Sequence, residues 1–243
     1  MGFVMTVMSE EAPNYGKYYI KKQIKMKNTL IYTLTILSIF LFSFTKGGYE
    51  AAMESTLKQM HKAETQIDRQ AVANKFERIG AAEKNKWLPY YYAAYCYIIM
   101  TTVEEDLTKW DSYLDTADGM LEKSTKFKKA DRVEILALKG FSTMMRISVD
   151  PATRGQEYSM KSASFLQQAS LLDDQNPRVN LLMAQMLYGT AQFFGSGTSE
   201  ACQKFSEAKK IFEKEEAQGR GILPAWGKPQ VESMLAKCSS STK

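Results

Sequence analysis

The sequence predicts an all-α fold, and three observations predict it. Beyond Gly48 no stretch sustains the two-residue alternation of a half-buried strand. Apolar residues instead recur at i, i+4 and i+7, the spacing that lines one face of a helix. Those faces themselves recur at a period of 45 residues, from Phe76 to Leu121 to Leu166. Helices are expected over 50–65, 68–84, 88–103, 107–126, 130–148, 153–173, 177–192, 199–218 and 229–237. Breaks are expected at Asp150-Pro151, Asn176-Pro177, Gly195-Ser196-Gly197 and from Gly219 to Pro229.

Ahead of the helices, residues 30–44 (LIYTLTILSIFLFSF) carry no charge. Lys21, Lys22, Lys25 and Lys27 precede them, and Ser43, Thr45, Gly47 and Gly48 follow. A basic head, a short apolar stretch and small residues make a secretory signal peptide. The apolar run is short of the ~30 Å hydrocarbon core, although Asn28, Thr29 and Thr45 extend it to 28–45 and leave an inner-membrane anchor as the alternative. Met26 opens MKNTL, a second start of ordinary signal length. Residues 1–47 therefore read as extension plus leader, with the mature chain beginning near Gly47 or Gly48. The expected location is periplasmic or secreted.

The helix over 68–84 turns Val72, Phe76 and Ile79 to one side. Its counterparts are Ala117, Leu121 and Ser124, then Ser162, Leu166 and Ala169, with a closer-spaced copy at Ala201, Phe205 and Ala208. The partner helices keep register: Tyr90, Ala93, Ala94, Tyr97; Ile135, Leu138, Lys139, Ser142; Asn180, Met183, Ala184, Leu187. Small residues beside large ones suit close helix–helix packing, and fixed-period helix pairs read as a solenoid in which each unit buries its face against the next. Lys139 and Ser142 stand where an apolar and an aromatic residue are expected, so the middle unit fits least. Gly119 and Gly140 fall inside expected helices. Pro177 suits a first helical turn, and Ser199 with Glu200 reads as a helix N-terminus.

Ala201, Phe205 and Ala208, together with Tyr90, Ala93, Ala94 and Tyr97, resemble the helix signatures of the tetratricopeptide repeat (TPR) family. The period of 45 departs from that family's 34. WLPYYYAAYCYI, Asp150-Pro151, Asn176-Pro177-Arg178, FFGSG and Trp226-Gly227-Lys228 further resemble a group of small exported bacterial TPR-like proteins without a defined activity. The resemblance implies a TPR-like helical-hairpin solenoid of about four helix pairs over 48–238, a C-terminal capping helix and a polar tail at 239–243. It also implies a concave groove lined by the first helix of each unit.

Signals for chemistry are thin. One His in the whole chain excludes a His-rich metal site, and three separated Cys exclude a four-thiolate zinc site. Gly195-Ser196-Gly197 has no preceding strand and no following Lys-Ser/Thr, so it reads as a turn rather than a phosphate loop. Ser55-Thr56-Leu57-Lys58 fits S-x-x-K, but neither S-D-N nor K-T-G occurs. His61 has no Cys or acidic spacing around it and reads as a surface or packed residue. Glu104-Glu105-Asp106 and Asp173-Asp174 sit at expected turns, and Lys126, Lys128 and Lys129 on a wet connector. Cys96 reads as a small core residue, while Cys202 and Cys238 are a possible disulfide in an oxidising compartment.

The binding candidate is the aromatic helix over 88–103. If Tyr90, Ala93, Ala94 and Tyr97 face the core, Tyr91 and Tyr95 point elsewhere and, with Gln185 and Tyr188, line the implied concave face. The alternative is that these rings pack on a neighbouring helix. The expected function is an exported, non-enzymatic protein-interaction module or scaffold with a protein or peptide partner. A carbohydrate-binding accessory protein is the alternative. No cofactor or metal is expected. Nucleic acid is excluded by where the charge lies. Of the formal +5, residues 1–47 hold six Lys against two Glu, leaving 26 basic and 25 acidic residues for the helical part.

Overall fold

The computed structural model describes residues 46–240. The apolar segment 30–44, the second start at Met26 and residues 241–243 of the tail lie outside the described residues. Met1–Gly48 and Tyr49–Lys243 are separate units, and the second carries the architecture below.

The fold is all-α. The described helices are α1 (Lys46–Lys62), α2 (Gln66–Ala82), α3 (Leu88–Met100), α4 (Trp110–Thr125), α5 (Arg132–Ile147), α6 (Pro151–Leu172), α7 (Pro177–Phe193), α8 (Ser199–Gln218) and α9 (Lys228–Ser240), with one 3₁₀ turn at Leu107–Lys109. Among the described residues no helix is long and apolar enough to cross a membrane.

Local chemistry sets the boundaries. Thr65 and Asp68 form a reciprocal capping box at the start of α2, which ends α1 sooner than its apolar spacing suggests. Asp131, Asp150 and Asn176 each accept bonds from free N–H groups at the starts of α5, α6 and α7. Pro151 and Pro177 then occupy the first turn, where no N–H is needed. Ser199 is not the capping residue expected of it. Thr198 holds that position and makes no side-chain bond.

Every consecutive pair from α2 to α9 is in contact, and α3 also meets α5 while α5 meets α7. The recurrent first-helix faces are the contact surfaces: Phe76, Ala117, Leu121, Ser124, Ser162, Leu166, Ala169, Phe205 and Ala208 are fully buried. Between α4 and α5, polar pairs stand beside the apolar contact. Lys139 Nζ lies 2.5 Å from Glu122, Ser142 Oγ donates to Asp118 at 2.8 Å, and Arg146 reaches Asp115 at 2.7 Å and Asp118 at 2.8 Å. Gly140 sits inside α5 because α6 crosses there. A Cβ on it would lie 2.7 Å from Leu166 Cδ2.

Cys202 of α8 and Cys238 of α9 form a disulfide, with Cα atoms 5.9 Å apart. It fixes the last helix to its neighbour. Cys96 is buried in α3, where burial pushes its thiol up and keeps it a small apolar filler.

Candidate functional site

The site is built around a polar network inside the apolar core. Glu134, in the first turn of α5, and Arg178, in the first turn of α7, are both wholly buried. Arg178 Nε donates to both Glu134 oxygens at 2.7 and 2.9 Å, and its Nη atoms donate to Glu215 of α8 at 2.8 and 2.6 Å. Asn176 Nδ2 and the Tyr91 hydroxyl each donate to Glu134 at 2.8 Å. Burial pushes the Glu134 carboxyl up, against the pull of Arg178, Asn176 and Tyr91 toward the charged form. For Arg178 the bonds to Glu215 and Glu134 outweigh burial and hold the guanidinium charged. Buried charges persist only when paired and hydrogen-bonded this fully.

One further bond carries this network to the segment between α8 and α9. Trp226 Nε1 donates to the Tyr91 hydroxyl at 2.8 Å, while its ring stacks on Tyr95 (centroids 4.9 Å) and on Phe141 (5.9 Å). Trp226 belongs to the segment between α8 and α9. The Tyr92 hydroxyl donates to the Ile222 carbonyl at 3.0 Å, and Arg220 Nε donates to the Pro224 carbonyl at 3.2 Å. Gly227 ends this segment at φ +115°, and a Cβ there would lie 2.5 Å from Phe212, so only glycine fits. The network and the stack together hold the Trp226 ring in one place.

That ring walls a cleft of about 230 Å³. Glu54, Leu57, Lys58 and His61 line it from α1, at the i, i+3, i+4 and i+7 spacing of one helical face, with Met60 beside them. Tyr92, Gly221, Leu223, Ala225 and Trp226 line it from the core and the connecting segment. The lining combines apolar and aromatic side chains with Glu54, Lys58 and His61. Its volume is below the roughly 300–1,000 Å³ of pockets that enclose a drug-sized ligand, so the cleft can hold part of a ligand and not bury it whole. The arrangement can bind and orient. Among the described residues no cluster of three His, Cys, Asp or Glu stands ready to hold a metal ion.

The residues proposed from sequence are not brought together as a binding surface. Tyr91 is fully buried and Tyr95 nearly so, because α3 is covered by α2, α4, α5 and the Trp226 segment at once. The alternative, packing on neighbours, is what their rings do. Tyr91 and Tyr95 shape the site only from behind, through Trp226. Tyr188 is buried near Phe205 (6.2 Å) and accepts a bond from Gln192. Gln185 lines a separate shallow depression with Pro229, Gln230, Ser233 and Met234.

The remaining motifs have local duties. Ser196 N and Gly195 N donate to carbonyls at the end of α7, which closes that helix. Glu104 accepts from Tyr113 and the Asp106 N–H, Asp106 caps the 3₁₀ turn, and Asp173 accepts from Gln175 N. Lys126, Lys128 and Lys129 are exposed. Sequence reasoning missed Trp226 as a wall and set His61 aside, because the cleft joins the two ends of the helical array and no local spacing announces it.

No family model and no curated protein matches this sequence. Among solved structures, the HusA haemophore from Porphyromonas gingivalis is similar over 83% of this chain and 96% of its own, with a TM-score of 0.69 and 25% sequence identity.

Proposed function

We propose that this chain is an exported, non-enzymatic binding protein that captures a flat, largely apolar ligand of the iron-porphyrin class in the cleft between α1 and the Trp226 segment. The observation that carries the proposal is the likeness to a haemophore across nearly the whole of that chain. The cleft supports it. The buried Trp226 and Tyr92, with Leu57 and Leu223 beside them, give the cleft an apolar lining against which part of a flat ring can rest. The leader read at residues 30–44 accords with export, and the TPR-like pairing of helices with a scaffold that carries a site rather than catalyses. The test is a titration of the protein with hemin, followed by the Soret band. A saturable change at one equivalent supports the proposal, and a response no different from hemin in buffer contradicts it.

A second reading, a protein or peptide partner, is favoured by one observation. Met183 (38% exposed), Leu187 (37%), Phe193 (70%) and Phe194 (75%) leave an apolar stripe along α7. The glycan reading loses its sequence support, since the faces of Tyr91 and Tyr95 are inside.

A further inference from the structure

The cleft contains one side chain whose chemistry exceeds apolar packing. His61 is the chain's single histidine, and it lies on the cleft wall in the last turn of α1. It is exposed, and among the described residues its imidazole has no hydrogen-bonding or ionic partner. Lys58 stands one turn earlier on the same face and lines the same cleft. Trp226 lines the same cleft and is fixed by Tyr91, Tyr95 and Phe141, so that part of the wall is rigid.

We infer that His61 is the axial ligand to the iron of a porphyrin held in this cleft, with Lys58 as the counter-charge to the porphyrin's carboxylates. The inference rests on the function proposed above and names the group that makes the site selective for the metallated ring. A neutral imidazole nitrogen donates a lone pair to iron, the commonest protein ligation of haem. The other donors on the wall are worse placed: Tyr92, whose phenol belongs to a side-chain type that ligates haem iron, is buried with its hydroxyl committed to the Ile222 carbonyl. Met60 is buried, and its thioether is a weaker donor than the imidazole, while Glu54 and Lys58 belong to the charged rim. The α1 face thus presents an iron ligand and a cation one turn apart, as an amphiphilic ring with peripheral carboxylates requires.

The experiment compares wild type, His61→Ala and Lys58→Ala in titrations with hemin and with metal-free protoporphyrin IX, each protein checked by circular dichroism. His61 is exposed, so its removal leaves the fold intact. His61→Ala should weaken hemin binding by about tenfold to hundredfold, the loss that follows even from removing a ligand's supporting partner. It should shift the Soret band and leave protoporphyrin IX binding unchanged. Free imidazole should restore the wild-type spectrum. Lys58→Ala should weaken both porphyrins alike. Unaltered hemin affinity and spectrum in His61→Ala would overturn the inference while leaving the porphyrin-binding function standing. Failure of wild type to bind either porphyrin would overturn both.

Discussion

Arg178 illustrates how much of this molecule hangs on single residues. Its guanidinium ties α5 to α8 through Glu134 and Glu215, and Glu134 reaches Trp226 through Tyr91. Arg178→Met leaves Glu134 buried without its charge partner and should cost about 3–5 kcal/mol in urea denaturation. Arg178→Met with Glu134→Leu should recover part of that loss, because the wholly buried charge is gone while Glu215 keeps only Arg220, at 3.5 Å. Equal destabilisation of single and double variants would show that the network's hydrogen bonds, not its charge balance, stabilise the core. None of this was legible in the sequence. The two charges stand 44 positions apart, and although Asn176-Pro177 marks the helix start that holds Arg178, no local spacing pairs Arg178 with Glu134. Tyr91 was legible as special but not as buried, since helical spacing says which residues share a face and not how many faces are covered.

Helices were legible where capping chemistry and periodicity agree. Asp150-Pro151 and Asn176-Pro177 are expected breaks, and the structure starts α6 and α7 at their prolines, two residues ahead of the expected 153 for α6, while the recurring apolar faces are buried. What escaped was the effect of neighbours, as at Gly140, which lowered the case for a helix in sequence but is required by the crossing of α6. Gly140→Ala pushes a methyl against Leu166 and should cost about 1–3 kcal/mol by thermal denaturation. A stabilised variant would show that Leu166 moves aside freely. Acid should loosen several helix starts together. Bonds from Thr65 to Asp68, and from Thr153 to Asp150, hold those carboxyls below their ordinary value of 3.8. A depressed pKa contributes stability above the ordinary value and loses it as pH falls through the native one. The melting temperature should therefore begin to fall near about pH 5 and drop further as pH goes below the ordinary carboxyl values. Thr65→Ala, which removes the cap, should lower stability by about 1 kcal/mol. Reducing the Cys202–Cys238 bond, which spans 36 positions, should cost about 2–4 kcal/mol and release α9 first, as read by hydrogen exchange.

At the scale of the whole molecule, an array of helices returns its C-terminal segment to its first helix, and the cleft is where the two ends meet. The all-helical fold is legible in the sequence because the apolar faces that meet recur at helical spacing along it. The site could not be read that way, because α1 and the Trp226 segment belong to no repeated pattern and only the tertiary path joins them. Ala225 offers the most direct test of whether this cleft is the binding site. It is exposed on the cleft wall, and Ala225→Trp would fill the space without touching the buried network. In parallel hemin titrations, the account predicts a saturable Soret change in wild type and its loss in an equally folded Ala225→Trp. A wild-type protein that ignores hemin, or a filled variant that binds it as well as wild type, would contradict the account.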